Sequence, residues 1–329
     1  MLALLVPTLL IALLVYLGWK YAMLDCDLTL SLKSRRRGHF KDKVIWITGA
    51  SSGIGLALTE LLSEDEAKLI LSSRRESELE EVRKNVTLLD NAKILPLDLT
   101  DPKSLANIGE RAWSLFGHVD ILINNAGIST RILAENAGED VLQQVMDVDF
   151  FGPVRLTKAI LPLLLERGKG HIVNVVSLLG KFAMPMRAPY CAAKHGLVGY
   201  MDVLRAEVAS RGLSVVNLMP GPVITNISKN ALTAGGTLQE TDAFIATGMQ
   251  PERCAHLMLN AIANNVYEAW ISKQYFLSYA YLSQYLPSIQ KLLAISRASA
   301  SAIIRVVLNS EARAFSHHPL LQTTPGWLK

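Results

Sequence analysis

A doubly wound, parallel α/β sheet is the architecture this sequence predicts, and three observations predict it. Short runs of β-branched and aliphatic residues recur from Val44 to Ile271 with little polar alternation, the mark of strands buried on both faces. Helix-period segments separate these runs, so crossover helices join successive parallel strands. A turn rich in Gly and Ser, residues 48–55, directly follows the first run and opens a helix. In open α/β sheets that is where a phosphate sits.

The elements follow in order. Strands are expected at residues 44–47, 68–72, 94–97, 119–123, 171–176, 214–218 and, short, 268–271, with the first helix running to about Glu64. Residues 226–248 are rich in Thr, Ala and Gly and follow the sixth strand. They read as a substrate loop or lid, because ligand crevices open at the carboxyl ends of such strands.

Two segments flank this single domain, assigned to residues 43–275. Residues 2–19 carry no charge, and Tyr16, Trp19 and Tyr21 close the run. That length of apolar helix spans a bilayer core, with aromatics at the interface. An N-terminal membrane anchor over residues 1–24 is therefore expected, in contact with membrane lipid. A cleaved signal peptide would need a basic start and a small-residue cleavage site, and neither is evident. Residues 25–42 read as a basic tether, holding Lys33, Arg35, Arg36, Arg37 and Lys41. Basic residues on that flank favour a cytosolic domain, whereas the sequons at Asn85 and Asn226 would be usable only in a lumen. Residues 276–329 form a helical extension. Tyr279, Leu282 and Leu286 continue a stripe from Tyr275, and Lys291, Arg297 and Arg305 interrupt the apolar run that follows. These charges argue against a second span. Covering the substrate cleft, forming a homodimer and lying on the membrane are the three uses expected of it.

With 329 residues, half of them hydrophobic, the chain can bury a large core, and its net charge of +4 argues against nucleic-acid binding. Cys26, Cys191 and Cys254 are too few and scattered for a disulfide framework or a zinc site. His39, His118, His171, His195, His317 and His318 show no metal-ligand spacing, so no metal is expected.

The chemistry is carried by Tyr190 and Lys194, four residues apart and hence on one helix face. A lysine ammonium beside a phenol favours the phenolate, and the tyrosine is expected to become a proton donor and acceptor at moderate pH. Ser177 stands thirteen residues upstream. In the Gly-rich turn, Gly49, Ser51, Ser52, Gly53, Ile54 and Gly55 offer tight bends and exposed N–H groups to a dinucleotide phosphate. The second strand ends in Ser72-Ser73-Arg74-Arg75. An acidic residue there would accept from an adenosine ribose hydroxyl; Arg74 and Arg75 instead suit a 2′-phosphate, so the cofactor expected is NADP(H).

Together with Asp98-Leu99, Asn124-Asn125-Ala126-Gly127 and Pro220-Gly221-Pro222-Val223-Ile224-Thr225, these residues resemble the short-chain dehydrogenase/reductase family over roughly residues 40–275. The resemblance implies a Rossmann-type sheet. It implies that Asp98 and Leu99 hold the adenine, that Asn125, Ala126 and Gly127 support the cofactor, and that Pro220, Gly221, Val223 and Thr225 meet its nicotinamide end. Lys194 and Tyr190 would contact the nicotinamide ribose. Ser177, Tyr190 and Lys194 would be catalytic, interconverting a carbonyl and an alcohol. Asp149 stands where many relatives carry an Asn that holds a relay water, and it would be the fourth catalytic member. A carboxylate accepts but cannot donate as an amide does. A cofactor-binding scaffold without turnover is the alternative that this departure suggests, and epimerisation or dehydration on the same fold is a third. Asp25-Cys26-Asp27-Leu28-Thr29-Leu30 and residues 268–272 resemble a subgroup anchored in the endoplasmic reticulum membrane. That likeness implies lipophilic substrates, such as steroid, retinoid or xenobiotic carbonyls.

Overall fold

The computed structural model describes residues 2–85, 89–105, 107–234, 236–237 and 243–296. The apolar run beyond residue 296, residues 86–87 of the first sequon, and residues 235 and 238–242 of the expected lid lie outside the described residues.

In chain order the elements are α1 (Leu2–Ala22), α2 (Leu28–Ser31), β1 (Val44–Thr48), α3 (Gly53–Glu64), β2 (Lys68–Ser72), α4 (Glu76–Lys84), β3 (Ala92–Ile94), α5 (Pro102–Leu105), α6 (Ile108–Phe116), β4 (Ile121–Asn124) and α7 (Glu139–Met146). Then come α8 (Gly152–Arg167), β5 (Gly170–Val175), α9 (Ala188–Val208), β6 (Leu213–Pro220), β7 (Leu232–Thr233), β8 (Gly236–Thr237), α10 (Ala243–Ala246), α11 (Pro251–Ala263), β9 (Glu268–Ile271) and α12 (Gln274–Tyr285). Seven strands form one sheet in the order β3-β2-β1-β4-β5-β6-β9, and every neighbouring pair is parallel. The chain runs outward from β1 to β3, then returns to pair β4 on the other side of β1. That reversal opens a crevice at the carboxyl ends of β1 and β4.

Burial explains the apolar strands. All of β1 and β4 is buried, and so is all of β5 except His171. Helices α3 and α11 pack together, as do α6 with α8 and α7 with α9. Residues of β1, β4, β5, β6, α3 and α11 share one continuous apolar core. The third strand is displaced from the expected 94–97 to Ala92–Ile94. The chain still follows β2 beyond it, through Leu95 N donating to Leu71 O and Leu97 N to Ser73 O. Pro96, between them, turns its N away from β2 toward the open edge, where a missing N–H costs no ladder bond.

Residues 25–42 are more than a tether. Arg253 grips the Asp25 carboxylate with Nε at 2.7 Å and Nη2 at 3.0 Å. Asp27 docks on the edge strand β9, its N–H donating to Trp270 O at 2.8 Å while its carboxylate accepts from Trp270 N at 2.7 Å and Leu30 N at 2.9 Å. Cys26, Leu30 and Phe40 are buried, and Arg35 pairs with Asp65. An open sheet edge is a liability, and this strap covers part of it. Asp27→Ala strands buried donors on both elements, each worth about 1–3 kcal/mol. Its thermal midpoint is expected to fall by several degrees in a melting experiment, consistent with roughly 2–4 °C per kcal/mol for domains of this size. An unchanged midpoint would show that the strap does not support the domain.

Only residues 10–22 of the 21-residue α1 have described side chains, and their large apolar groups are exposed. Among the described residues no helix is long and apolar enough to cross a membrane. Residues 281–296 belong to a second unit, separate from that of residues up to 280. Within it Leu286, Ile289, Leu292 and Ile295 are exposed.

Candidate functional site

The site is built from the carboxyl ends of the strands. Thr48 closes β1, and its Oγ1 accepts from Asn125 N at 2.9 Å and Ala126 N at 3.1 Å, which stitches β1 to the segment after β4. Asn125 Nδ2 donates to Thr48 O at 2.9 Å. Gly49 and Gly53 have φ of +66° and +57°, left-handed conformations in which a side chain is strained. A Cβ on Gly49 would come within 2.9 Å of Ala126 Cα, and one on Gly55 would strike the Gly49 carbonyl oxygen. The turn is therefore drawn tight against both strands, and α3 begins at Gly53 with Ser52 as its N-cap. This cradle fits a pyrophosphate: close backbone approach, a helix N-terminus and three hydroxyl-bearing residues around it.

A cleft of about 520 Å³ runs from Arg74 and Asp98 past this turn to Ser177, Tyr190, Lys194 and Phe276. Every residue assigned to cofactor binding from the sequence lines it except Gly55, which lies beneath Gly49. Glu78 was missed. Its carboxylate pairs with Arg75, and Arg75 first, with a smaller influence from Ser51, holds it below the usual carboxylate range. The expectation of arginines without a nearby acid is thus incomplete. Glu78 sits one helical turn beyond the strand end, where the spacing of i and i+3 on α4 could have revealed it.

Ser177 follows β5, and its Oγ accepts from Leu179 N at 3.1 Å. Tyr190 and Lys194 project from α9, both largely buried. The Ser177 hydroxyl acts on the Tyr190 phenol, favouring its ionised form. Lys194 Nζ lies 5.6 Å from the Tyr190 ring centroid, 3.5 Å from Val175 O and 4.0 Å from Asp149 Oδ1. Asp149 comes from a π-helical stretch, Asp147–Phe151, inserted between α7 and α8. Such bulges re-aim side chains and recur at functional sites. Here the bulge turns a fully buried carboxylate under Gly127, where Oδ1 accepts from Ile128 N at 2.9 Å and Oδ2 has no partner.

The electrostatics differ from the sequence expectation. Lys194 was expected to lower the Tyr190 pKa. Instead burial first, and the Asp149 charge second, push the phenol well above its ordinary value, while the Ser177 hydroxyl opposes them. The reason is geometric: the Lys194 ammonium lies over the Tyr190 ring but nearer to Val175 O and Asp149 Oδ1. Burial raises Asp149 itself to about 6 against the pull of Lys194. Asp149→Asn removes the anion that opposes Tyr190 ionisation, so the pH profile of any alcohol oxidation should move to lower pH. An unmoved profile, or a move upward, would show that Asp149 does not govern Tyr190.

A further feature escaped the sequence. Asn124 donates to Asn174 at 3.0 Å, Asn174 to Asn217 at 3.1 Å, and Asn217 to Asp202 at 3.0 Å. The three asparagines share one register across β4, β5 and β6, which only the strand order discloses. All three cysteines are buried free thiols, and burial raises the pKa of each, Cys26 to about 12. Among the described residues no cluster could hold a metal ion.

Comparison with known proteins agrees with this geometry. Residues 43–234 match the short chain dehydrogenase family. Dehydrogenase/reductase SDR family member 7 of Homo sapiens is 41% identical over 282 residues, covering 82% of this chain and 83% of that one. A family protein 7-like chain of Drosophila melanogaster is 42% identical over 232 residues, covering 69% and 71%. A short-chain dehydrogenase from Streptomyces avermitilis superposes with a TM-score of 0.66 at 26% identity, over 80% of this chain and 98% of that one. One from Burkholderia cenocepacia, solved with NADP, has a TM-score of 0.65 at 22% identity over 78% and 98%. The likeness to family member 7 proteins extends over most of the chain, and the chain belongs to the short-chain dehydrogenase/reductase family of oxidoreductases.

Proposed function

We propose that this oxidoreductase interconverts a carbonyl and an alcohol on lipophilic substrates, with NADP(H) as hydride carrier. One observation carries the reading: Ser177, Tyr190 and Lys194 meet in the same cleft as the glycine cradle. The residues present fit a dinucleotide. Gly49, Ser51, Ser52, Gly53 and Ile54 would take the pyrophosphate, Asp98 and Leu99 the adenine, and Arg74 and Arg75 the 2′-phosphate. Asn125, Ala126, Gly127, Pro220, Gly221, Val223 and Thr225 would enclose the other end. When bound, the cofactor supplies or accepts the hydride.

The protein's own share is orientation and proton transfer. The Ser177 hydroxyl donates to the substrate oxygen as negative charge grows on it. Tyr190 delivers the proton in reduction and removes it in oxidation. Its raised pKa keeps the phenol protonated, which suits reduction. Lys194 positions the ribose and balances the buried Asp149 charge.

The apolar wall of Leu178, Leu179, Phe182, Ile245 and Phe276 supports lipophilic carbonyls, such as steroid, retinoid or xenobiotic ones, as the substrate class. The uncharged run of residues 2–19, with the exposed apolar side chains of residues 10–19, supports membrane attachment, here assigned to the endoplasmic reticulum. The strap links that run to the cleft. Gln274 Nε2 donates to Cys26 O at 3.0 Å, and the same helix α12 carries Phe276 at the cleft wall. An apolar substrate would thus have a short path from lipid to Tyr190. The test is cofactor consumption by the purified chain in detergent against steroid, retinoid and dicarbonyl panels, with NADPH and NADH in parallel. NADPH-dependent turnover is expected; tight NADPH binding with no turnover in either direction would favour a scaffold instead.

A further inference from the structure

The strap between α1 and β1 sorts its side chains by charge. Asp25 and Asp27 face the domain, where Arg253 grips the first and the backbone N–H groups of Trp270 and Leu30 hold the second. Arg35 also turns inward, pairing with Asp65 and lying 5.6 Å from the Phe40 ring centroid. Lys41 pairs with Glu66 and stands beside the exposed Asp42. Lys33, Arg36 and Arg37 are different. All three are exposed, and none has an ion-pair partner among the described residues.

Apolar groups are exposed in the same stretch. Leu28 and Leu32, four residues apart and so on one face of α2 and its cap, are 54% and 77% exposed, while Leu30 between them is fully buried. Single exposed leucines are ordinary. Two of them beside three unpaired cations, in a stretch whose nearest acids are spent inward, match a membrane-surface segment. There apolar groups enter the acyl boundary and basic groups meet lipid headgroups.

The stretch is also fixed to the domain. Asn260 Nδ2 donates to Lys33 O at 2.7 Å, Asn264 Nδ2 to Ser34 O at 3.0 Å, and Gly38 N to Asp65 Oδ1 at 3.1 Å. Its outer side chains are therefore a surface of the domain rather than a loose tail. Leu28 stands six residues beyond Ala22, the last residue of α1, which is at most about 22 Å of extended chain. A bilayer that takes up residues 2–19 lies within that reach.

From this arrangement we infer that residues 28–37 dock on a lipid surface carrying anionic headgroups, with Leu28 and Leu32 in the headgroup–acyl boundary and Lys33, Arg36 and Arg37 on the phosphates. The contact orients the domain on the bilayer, and through Gln274, which binds Cys26 O, it orients the α12 wall of the cleft as well. The inference rests on the membrane-attachment reading of residues 2–19 for the nearness of a bilayer, and on the strap's own side chains for the headgroup contact.

Vesicles test both parts. The full chain carries Leu32→Cys labelled with a fluorescent dye; the three native thiols are buried. It is reconstituted with vesicles of brominated phosphatidylcholine, alone or mixed with phosphatidylserine. Flotation records attachment, and quenching by the brominated acyl chains records docking of the strap. Flotation with both vesicles is expected, with strong quenching only on the anionic ones. Lys33→Gln, Arg36→Gln and Arg37→Gln together should lower the ratio of docked to undocked strap by roughly fivefold for each charge removed, while the melting temperature holds. Should that variant fail to fold, salt at about 1 M must abolish the quenching of the unchanged strap. Flotation with both vesicles but equal quenching, or none on either, overturns the inference, leaves the face to a protein partner and keeps the attachment of residues 2–19. Flotation and quenching with anionic vesicles alone sinks that attachment and leaves the strap surface. Flotation with neither sinks both.

Discussion

Tyr190→Phe is expected to lower carbonyl reduction by at least ~10²-fold, the usual worth of a positioned general acid. The change removes one oxygen from a buried ring on α9 and leaves the Lys194 contact with the ring face in place. Cofactor affinity and folding should therefore survive, and the loss should fall on kcat rather than KM. The lost group is the hydroxyl whose ionisation Ser177 favours. Steady-state kinetics with NADPH and a reducible ketone check this. Retention of most of the wild-type kcat would remove Tyr190 from the proton path.

The second large effect concerns the choice between NADPH and NADH. Arg74 and Arg75 are both exposed at the mouth of the cleft after β2. Arg75 is shared with Glu78, which Nη2 reaches at 2.8 Å. Arg74→Ala is therefore expected to cost more NADPH affinity than Arg75→Ala, whose removal also releases Glu78 from its ion pair. Losing both should weaken NADPH by roughly 10²-fold, the worth of one or two charge-assisted hydrogen bonds, while NADH changes little. Titration of both cofactors by protein fluorescence measures this. A parallel loss of NADH affinity would place the arginines on a phosphate common to both cofactors.

Much of this site is legible in the sequence because its chemistry is local. The glycine turn, the Tyr190–Lys194 pair and the arginines after β2 are short-range patterns, and each lies in the cleft. What escaped is non-local. Arg131 and Arg187 are 56 residues apart in the chain and line one cleft, with Ile132 bridged to Arg187. The asparagine ladder needs the register of three strands. The orientation of Lys194 toward Asp149 depends on a π-helical stretch that no periodicity announces. The strap was read as a basic spacer from its composition. Its real anchors are Asp25 and Asp27, whose partners Arg253 and Trp270 lie more than two hundred residues away.

The central claim is hydride transfer at the Ser177, Tyr190 and Lys194 cluster. Its most direct test is to incubate the full chain with NADPH deuterated at the transferable position and a reducible carbonyl substrate, then analyse the alcohol by mass spectrometry. Deuterium on the carbinol carbon, lost with Tyr190→Phe, is the predicted result. Alcohol formed without deuterium, or NADPH bound tightly while no carbonyl in a broad panel is reduced, would contradict it.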